Sequence, residues 1–249
     1  MFTAPGDDAS ALAENIKKVV EHRSTNSSRS RQKAIGLSEI GDPCARKLAY
    51  KILDWPQTNV STDPWASIQG VAIHAWLAEA FERFNDKDNP RFIIEFRVNV
   101  TDDLGGTCDL FDMVDGMVID HKCMGSTSMK SRKRDGMTIQ QRVQVNCYGY
   151  GVEQMGKEVK QVALACYPLG GRLDGLHTIV EPYDRQIAIN AIERLDGIKL
   201  LVWQLDVEQN PDNWNLIPAT PAYNCIYCPF YLPNSTDLAK GCPGEGKVA

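Results

Sequence analysis

Residues 105–122 have the sequence Gly-Gly-Thr-Cys-Asp-Leu-Phe-Asp-Met-Val-Asp-Gly-Met-Val-Ile-Asp-His-Lys. Two apolar segments, 106–113 and 117–122, lie on either side of the turn-forming pair Asp115-Gly116. Apolar segments separated by an Asp-Gly pair predict a β-hairpin. We expect the rest of the chain to be organised around this hairpin.

The hairpin carries charged residues that could take part in catalysis. Asp109 and Asp120 fall on different strands, and Lys122 follows Asp120 by two residues, so both side chains point to one face of the sheet. Two acids and a lysine are what metal-assisted phosphodiester hydrolysis needs, since carboxylates hold Mg²⁺ or Mn²⁺ and the lysine offsets developing negative charge. The structural alternative is that these acids are merely solvated, as most hairpin acids are.

The totals describe an ordinary globular protein. The chain has 249 residues, 43% of them hydrophobic and 24% charged, which is enough for a sizeable core. It contains no apolar stretch long enough to cross a bilayer and no N-terminal signal, so we expect a cytoplasmic protein with no membrane partner. A net charge of −5 does not favour binding to nucleic acid, yet basic residues are concentrated in particular segments of the chain.

Hydrophobic periodicity predicts alternating helices and strands. Half-buried or buried strands are expected besides the hairpin, and Pro-, Gly- or charge-rich segments are expected to be loops. The predicted helices are 8–22, a helix starting near Asp42-Pro43 within 37–53, 65–84, 138–155 and 184–209; the strands are 91–100, 159–167 and 177–181; the loops are 54–64, 124–137 and 168–178.

Eight cysteines in a chain without a signal segment favour metal or cluster ligation over disulfides. Four lie in apolar or periodic segments and are interpreted as small buried hydrophobes: Cys108, Cys123, Cys147 and Cys166. The others, Cys44, Cys225, Cys228 and Cys242, lie beside Pro or Gly at the ends of predicted elements. Their spacing fits a structural zinc ion and an iron–sulfur cluster equally well.

Two basic segments have alternative interpretations. Residues 23–33 are rich in Ser and Arg, and a solvated tether is preferred over a DNA-contacting arm. The predicted loop 124–137 follows the strand that bears Lys122. It is either a solvated loop or a set of phosphate contacts, and its position favours contacts by Lys130, Arg132, Lys133 and Arg134.

Five segments together resemble the RecB-like branch of the PD-(D/E)XK nucleases, over residues 37 to 243. The segments Gly-Thr-Cys-Asp109 and Ile-Asp120-His-Lys122 resemble its second and third motifs. The others are Cys44 before a basic-aromatic helix, Gly70-x-x-x-His74, and Gln144-x-x-x-Tyr148 together with the C-terminal cysteines. The resemblance implies an α/β fold of the restriction-endonuclease type, with a central mixed sheet flanked by helices and a cysteine-clamped tail.

The resemblance also implies roles for individual residues. His74 alone would be interpreted as a core histidine, but here it implies a metal ligand together with Asp109, Asp120 and the backbone carbonyl of His121. Lys122 orients the attacking water or stabilises the phosphate, and Gln144 and Tyr148 support the site, with Gln140 as an alternative glutamine. Glu95 is expected to have a supporting role.

The four-cysteine relatives hold a [4Fe–4S] cluster, which implies that Cys44, Cys225, Cys228 and Cys242 do the same here. The gap between Cys228 and Cys242 is longer than is usual in the family. The resemblance further implies a Mg²⁺- or Mn²⁺-dependent DNA exonuclease, encoded by a phage and acting in the host cell's cytoplasm, in recombination or repair. DNA with a single-stranded end and a recombination partner protein are the expected partners.

The chain is predicted to divide into residues 1–36 (helix and basic linker), 37–210 (nuclease core) and 211–249 (cysteine-rich tail). A second hypothesis is a non-catalytic DNA-binding or assembly module, with zinc or a cluster as a rigid scaffold. The presence of both acids and the lysine argues against it. A third is a metal-dependent hydrolase of another phosphodiester.

Overall fold

A computed structural model describes residues 8–25, 34–60, 63–220 and 223–244 as an α/β protein with one mixed sheet flanked by helices. The segment 26–33, most of the predicted basic linker, lies outside the described residues. The helices are α1 (Asp8–Thr25), α2 (Ala45–Ile52), α3 (Trp65–Phe84), α4 (Ser126–Asp135), α5 (Ile139–Gln154) and α6 (Arg185–Leu205), and the strands are β1 (Phe92–Asn99), β2 (Gly105–Asp112), β3 (Met117–Met124), β4 (Gln161–Pro168) and β5 (His177–Pro182).

The strands lie in the sheet in chain order, β1-β2-β3-β4-β5. Neighbours pair antiparallel except β3 and β4, which are parallel. A parallel pair needs a crossover connection, and α4 and α5 provide it. On β3, Asp120 contacts α5 while the ring of His121 contacts α3. Because successive strand residues point to opposite faces, α5 and α3 cover opposite faces of the sheet.

The hairpin forms as predicted, but its two strands pair over a short distance. Ladder pairing between β2 and β3 runs only from Asp112↔Met117 to Leu110↔Ile119. Beyond that point β2 continues against β1 as far as Gly105, and β3 continues against β4 as far as Met124. The sheet therefore forks between β2 and β3, and Asp109 and Asp120 are the first residues past the fork.

The turn of the hairpin is longer than the predicted Asp115-Gly116 pair. Strand β2 ends at Asp112 and β3 begins at Met117, so four residues form the turn. Gly116 has a φ of 63°, a conformation that glycine adopts without steric cost. The Asp112 carboxylate accepts hydrogen bonds from the backbone N–H groups of Val114 and Asp115. Asp112, which the sequence did not single out, organises this turn.

Residues 126–135 were expected to be part of a loop, and that prediction was wrong, because they form α4. Lys, Arg and Met all have good helix propensity, and Gly136 ends the helix with a φ of 72°. Met129 is the only residue of α4 that is buried, so the segment needs no apolar stripe along its length. A helix anchored by one side chain leaves no periodicity in the sequence to detect.

Two hydrophobic clusters, counted over the described ranges, hold the fold together. The larger one joins the sheet to α5 and α6. The smaller one joins α2, the C-terminal half of α6 and residues 207–242. At its centre Tyr50 stacks on Trp214 with the ring centroids 4.1 Å apart, and on Phe230 at 4.9 Å. The tail therefore packs as a second small core around the fully buried Trp214, although its sequence lacks periodicity.

Helix α3 has the predicted bounds but not the predicted burial. Leu77 is its only buried residue among those described, and Trp76 is 67% exposed. No helix in the described ranges is both long enough and apolar enough to span a bilayer.

Candidate active site

Three side chains from three elements converge past the fork. In His74, Nδ1 lies 3.4 Å from Asp109 Oδ1 and 4.0 Å from Glu95 Oε1. One ligand atom from each of the three residues lies within 4.8 Å of the other two. His74 comes from α3, Glu95 from β1 and Asp109 from β2, so the group exists only in the folded chain. The predicted approach of His74 to Asp109 is present in the structure.

Glu95 reaches this group through an unusual backbone conformation. Its φ is 45°, although it lies within a strand. The ladder between β1 and β2 pairs Ile94 with Leu110 and Phe96 with Cys108, and passes over Glu95 and Asp109. A non-glycine residue in this region costs on the order of 1–3 kcal/mol and is typical of functional sites. Glu95 was expected only to support the site, whereas its carboxylate lies beside the imidazole.

Asp120 makes a second group on the α5 side. It is 1% exposed, and its Oδ1 accepts a 3.0 Å hydrogen bond from Gln144 Nε2. The same amide nitrogen donates to the hydroxyl of Tyr148 at 3.1 Å, and Lys122 Nζ lies 2.7 Å from Asp120 Oδ2. Gln140 instead donates to the Ser38 carbonyl, so Gln144 is the glutamine that contacts Asp120.

The environments of the two aspartates shift their pKa values in opposite directions. Burial raises the pKa of Asp120 to about 6, against the lowering effect of Lys122 and with a further increase from Asp109. Burial also disfavours charge on Asp109, but the hydrogen bond and charge of His74 outweigh it and lower the pKa of Asp109. The same hydrogen bond raises the pKa of His74. Of the two aspartates, Asp109 is therefore the one whose charged form the site favours.

The donor set fits a hard divalent cation. Carboxylate oxygens with one imidazole suit Mg²⁺ or Mn²⁺, and His74, Glu95 and Asp109 present such a set. Asp120 Oδ2 is buried and receives no well-aligned hydrogen bond from any described residue, although Lys122 is close. A buried carboxylate oxygen without a hydrogen-bond donor is a suitable ligand atom for a cation, because it would otherwise be left unsatisfied.

His121 contributes to the site mainly through its backbone. Its N–H donates a 2.7 Å hydrogen bond to Asp109 Oδ2. Its ring lies on the α3 face, 5.8 Å from Phe81 in a stacked arrangement, with the Tyr167 hydroxyl 3.3 Å from Nδ1. Burial lowers the pKa of His121 to about 4, so the ring is neutral near pH 7. The ligand role expected for its carbonyl stays a prediction.

The basic residues of α4 have different environments. Arg132 donates to the Gly136 carbonyl and to Gln141 Oε1, which ties α4 to the start of α5. Arg134 pairs with Asp135. Lys130 and Lys133 are exposed, and no ion pair of either occurs within the described ranges. The helix starts directly after β3, so the lysines lie on the element that follows Lys122.

The four cysteines at element edges line one cavity of about 120 Å³. Cys44 lies at the N-terminus of α2, and the tail brings the other three to it. Cys228 N–H donates to the Cys225 carbonyl, and Cys242 N–H donates to the Phe230 carbonyl, which fixes the tail around the cavity. Of the described sulfur atoms, no three lie within 4.8 Å of one another.

The other cysteines mostly follow the prediction of buried hydrophobes. Cys108, Cys147 and Cys166 are fully buried. Cys123 is only half-buried, so the prediction was wrong for it, because it shares with His121 the face of β3 that α3 covers, and α3 buries only Leu77 among its described residues.

The sequence matches one family of known proteins, and the fold is similar to several solved structures. The sequence model of the PD-(D/E)XK nuclease superfamily matches residues 20–231. No curated protein matches the sequence. Among solved structures, an alkaline exonuclease, LHK-Exo, from Laribacter hongkongensis is similar at 11% identity and a TM-score of 0.49, with 76% of this chain and 97% of that chain covered.

The same exonuclease in complex with dAMP is similar at 12% identity and a TM-score of 0.47, with 76% and 97% of the two chains covered. A phage-related exonuclease from Haemophilus somnus 129PT is similar at 12% identity and a TM-score of 0.45, over 66% of this chain and 82% of that one. Because the superfamily match spans most of the sequence, this chain belongs to the PD-(D/E)XK nuclease superfamily.

Proposed function

We propose that this protein is a metal-dependent DNA exonuclease with an iron–sulfur cluster, acting in recombination or repair. The observation that carries the nuclease proposal is the convergence of His74, Glu95 and Asp109 past the fork of the sheet, with Asp120 and Lys122 on the adjoining strand. Restriction to DNA and to exonuclease action follows the resemblance to the RecB-like branch.

His74, Glu95, Asp109 and Asp120 would hold Mg²⁺ or Mn²⁺. A divalent cation supplies Lewis acidity toward a phosphate oxygen and toward water. The proposed ligand set differs from the one expected from the sequence by the addition of Glu95. Carboxylates that share one cation repel one another, and His74 beside Asp109 and Lys122 beside Asp120 reduce this repulsion.

Lys122 would place a positive charge where the phosphate develops negative charge. Its ammonium group is held beside Asp120, so its position is set before substrate binds. A preorganised charge of this kind costs no reorganisation during the reaction. Gln144 would keep Asp120 oriented through its amide, and Tyr148 would fix Gln144. Both act through Asp120 and are positioning residues in this proposal.

Lys130 and Lys133 are the proposed phosphate contacts for a DNA strand, with a single-stranded end as the preferred substrate. Exposed lysines without an acidic partner among the described residues can release counterions when they bind phosphate. Arg132 and Arg134, predicted from the sequence to bind DNA, are engaged within the protein and are less suited to this role.

Cys44, Cys225, Cys228 and Cys242 would hold a [4Fe–4S] cluster. All four line one cavity, and the thiols are spread more widely than ligands of one zinc ion, whose sulfur atoms lie about 2.3 Å from the metal. Each cysteine of a cluster binds a different iron, which suits wider spacing. The cluster would tie the tail, 211–249, to the first helix of the nuclease core, and zinc is the alternative.

The test uses the purified chain with end-labelled single- and double-stranded DNA and Mn²⁺. We expect progressive shortening from one end by the wild type, and a loss of at least about 100-fold in rate for Lys122→Ala and Asp120→Asn. Circular dichroism and urea unfolding should show that both variants are folded. Cleavage by either variant at the wild-type rate would contradict the assignment, and wild-type protein that binds DNA without cutting it would favour the non-catalytic module.

The cluster is tested separately on protein purified without air. A brown protein with broad visible absorbance and about four irons per chain is expected. A colourless protein with one zinc per chain would show that the four cysteines hold a zinc ion and not a cluster.

A further inference from the structure

Arg46 is a buried cation in the wall of the cysteine cavity. Only 8% of its surface is exposed. Its Nε and Nη2 donate to the carbonyl of Ile217 at 3.1 and 2.8 Å, and its Nη1 lies 3.9 Å from the sulfur of Cys242. The guanidinium thus connects α2 to the tail at two points, one of which is a cysteine of the cavity.

The charge of Arg46 has no carboxylate partner among the described residues. The neighbouring Lys47 also lines the cavity, but it forms an ion pair with Asp42, with Nζ 2.6 Å from Oδ2. A buried charge is normally paired, because removing it from water without compensation is costly. The anion nearest to Arg46 is therefore the thiolate that Cys242 becomes when it binds a metal.

We infer that Arg46 is the counter-charge and hydrogen-bond donor for Cys242, and that it sets the reduction potential of the group that the cysteines hold. This inference rests on the proposed cluster. A donor to a ligand sulfur and a nearby positive charge both stabilise the more negative, reduced cluster, and so raise its potential. The two hydrogen bonds to Ile217 hold the guanidinium in place independently of the sulfur.

The orientation of Arg46 is fixed from the backbone as well. Its own N–H donates to the Pro218 carbonyl at 2.9 Å, so main chain and side chain both bind the segment 217–218. Asp42 has a matching role for the first cysteine, since its Oδ1 accepts the N–H of Cys44 at 2.9 Å. Arg46 is a positioning residue for Cys242 with an additional electrostatic effect on the ligand.

The experiment compares the full-length wild type with Arg46→Gln, Arg46→Lys and the control Lys51→Gln, all purified without air. Lys51 lies on the same helix but pairs with Glu39 and does not line the cavity. The midpoint potential is measured by a redox titration followed by electron paramagnetic resonance.

We expect Arg46→Gln to lower the ratio of reduced to oxidised cluster about tenfold at a given poise, a shift of about 59 mV for a one-electron couple. Arg46→Lys, which keeps the charge, should give a smaller shift of the same sign, and Lys51→Gln none. Equal potentials for the wild type and Arg46→Gln would overturn the inference. Loss of the fold in both Arg46 variants would also overturn it, since that is the result of a purely structural role.

The failure of the proposed cluster gives a different result. If the wild type holds zinc instead, the same variants are compared by their affinity for Zn²⁺, which is measured by competition with a chromophoric chelator. Arg46→Gln should then bind zinc about tenfold more weakly than the wild type and Lys51→Gln. Wild-type protein that binds neither iron nor zinc contradicts both the cysteine site and the role of Arg46.

Discussion

Asp109 Oδ2 accepts a 2.7 Å hydrogen bond from the backbone N–H of His121, across the point where β2 and β3 separate. In a continued hairpin ladder that N–H would bond to a backbone carbonyl of β2. The fork removes this partner, and the Asp109 carboxylate takes its place. One oxygen of Asp109 therefore stabilises the fork, while the other faces His74 at 3.4 Å.

The two roles of Asp109 can be separated by substitution. Asp109→Asn keeps an oxygen that can accept the His121 N–H, whereas Asp109→Ala leaves that buried donor unpaired, which costs about 1–3 kcal/mol. We expect both variants to lose nuclease activity, and Asp109→Ala to be less stable than Asp109→Asn by about that amount in urea unfolding. Equal stability of the two variants would contradict the structural role.

Glu95 is predicted to destabilise the fold through its backbone conformation and to bind the metal through its carboxylate. Its φ of 45° favours glycine, so Glu95→Gly should be more stable than Glu95→Ala by about 1 kcal/mol in urea unfolding. Glu95→Gln should bind Mn²⁺ at least about tenfold more weakly in calorimetry, because a neutral amide is a poorer ligand. The control is Glu82→Gln, an exposed acid on α3. Unchanged Mn²⁺ affinity in Glu95→Gln would remove Glu95 from the ligand set.

Lys130 and Lys133 are predicted to contact DNA phosphates. In a Lys122→Ala background, which prevents cleavage, the change Lys130→Ala with Lys133→Ala should reduce the slope of log affinity against log salt by about 1.4 for single strands. Fluorescence anisotropy measures this slope. The control is Lys157→Ala with Lys160→Ala. These residues precede β4, at the end of that strand that lies away from α4, and their change should leave the slope unchanged. A wild-type slope in the α4 double variant would mean that these lysines stay in solvent.

The sequence predicted most elements because each depended on local signals, and it predicted that Asp109 and Asp120 lie on the two strands of one hairpin. The Asp-Gly turn pair located the hairpin, and periodicity gave α3 its correct bounds. The contact of Gln144 with Asp120 could be stated only with Gln140 as an alternative, since both lie on one helix face. Which of the two glutamines contacts Asp120 depends on Ser38, which is distant in sequence and whose carbonyl accepts a hydrogen bond from the Gln140 amide.

The features that the sequence did not predict depend on contacts between distant segments or on backbone geometry. Glu95 joins His74 only because its backbone leaves the β conformation, and nothing in a strand pattern signals a positive φ. Arg46 and Trp214 are buried by a tail that lacks periodicity, so their burial depends on where the tail packs. The residues that determine the site's detailed geometry are therefore the least visible in the sequence.

Asp112 is predicted to stabilise the hairpin only in its charged form. It is 4% exposed and accepts hydrogen bonds from Val114 N–H, Asp115 N–H and Arg91, whose Nη2 is 2.6 Å from Oδ2. Burial favours the neutral acid, but the bond to Arg91 and those to the turn N–H groups outweigh it and lower the pKa of Asp112. A lowered folded-state pKa gives stability that is present above the unfolded pKa of about 3.9 and is lost as the pH falls through the folded value.

Asp112→Asn should therefore be less stable than the wild type by about 1–3 kcal/mol at neutral pH, because the amide oxygen can still accept the turn N–H groups at Oδ1 but an NH2 donor then faces the Arg91 guanidinium in place of Oδ2. Urea unfolding between about pH 7 and pH 2 should show this difference shrinking as the wild-type carboxylate takes up its proton. The matched change Asp115→Asn, at an exposed partner of Arg91, should cost no more than about 0.5 kcal/mol at any pH. A difference for Asp112→Asn that stayed constant down to about pH 2 would mean that hydrogen bonding alone, without the charge, holds the turn that aligns β2 with β3.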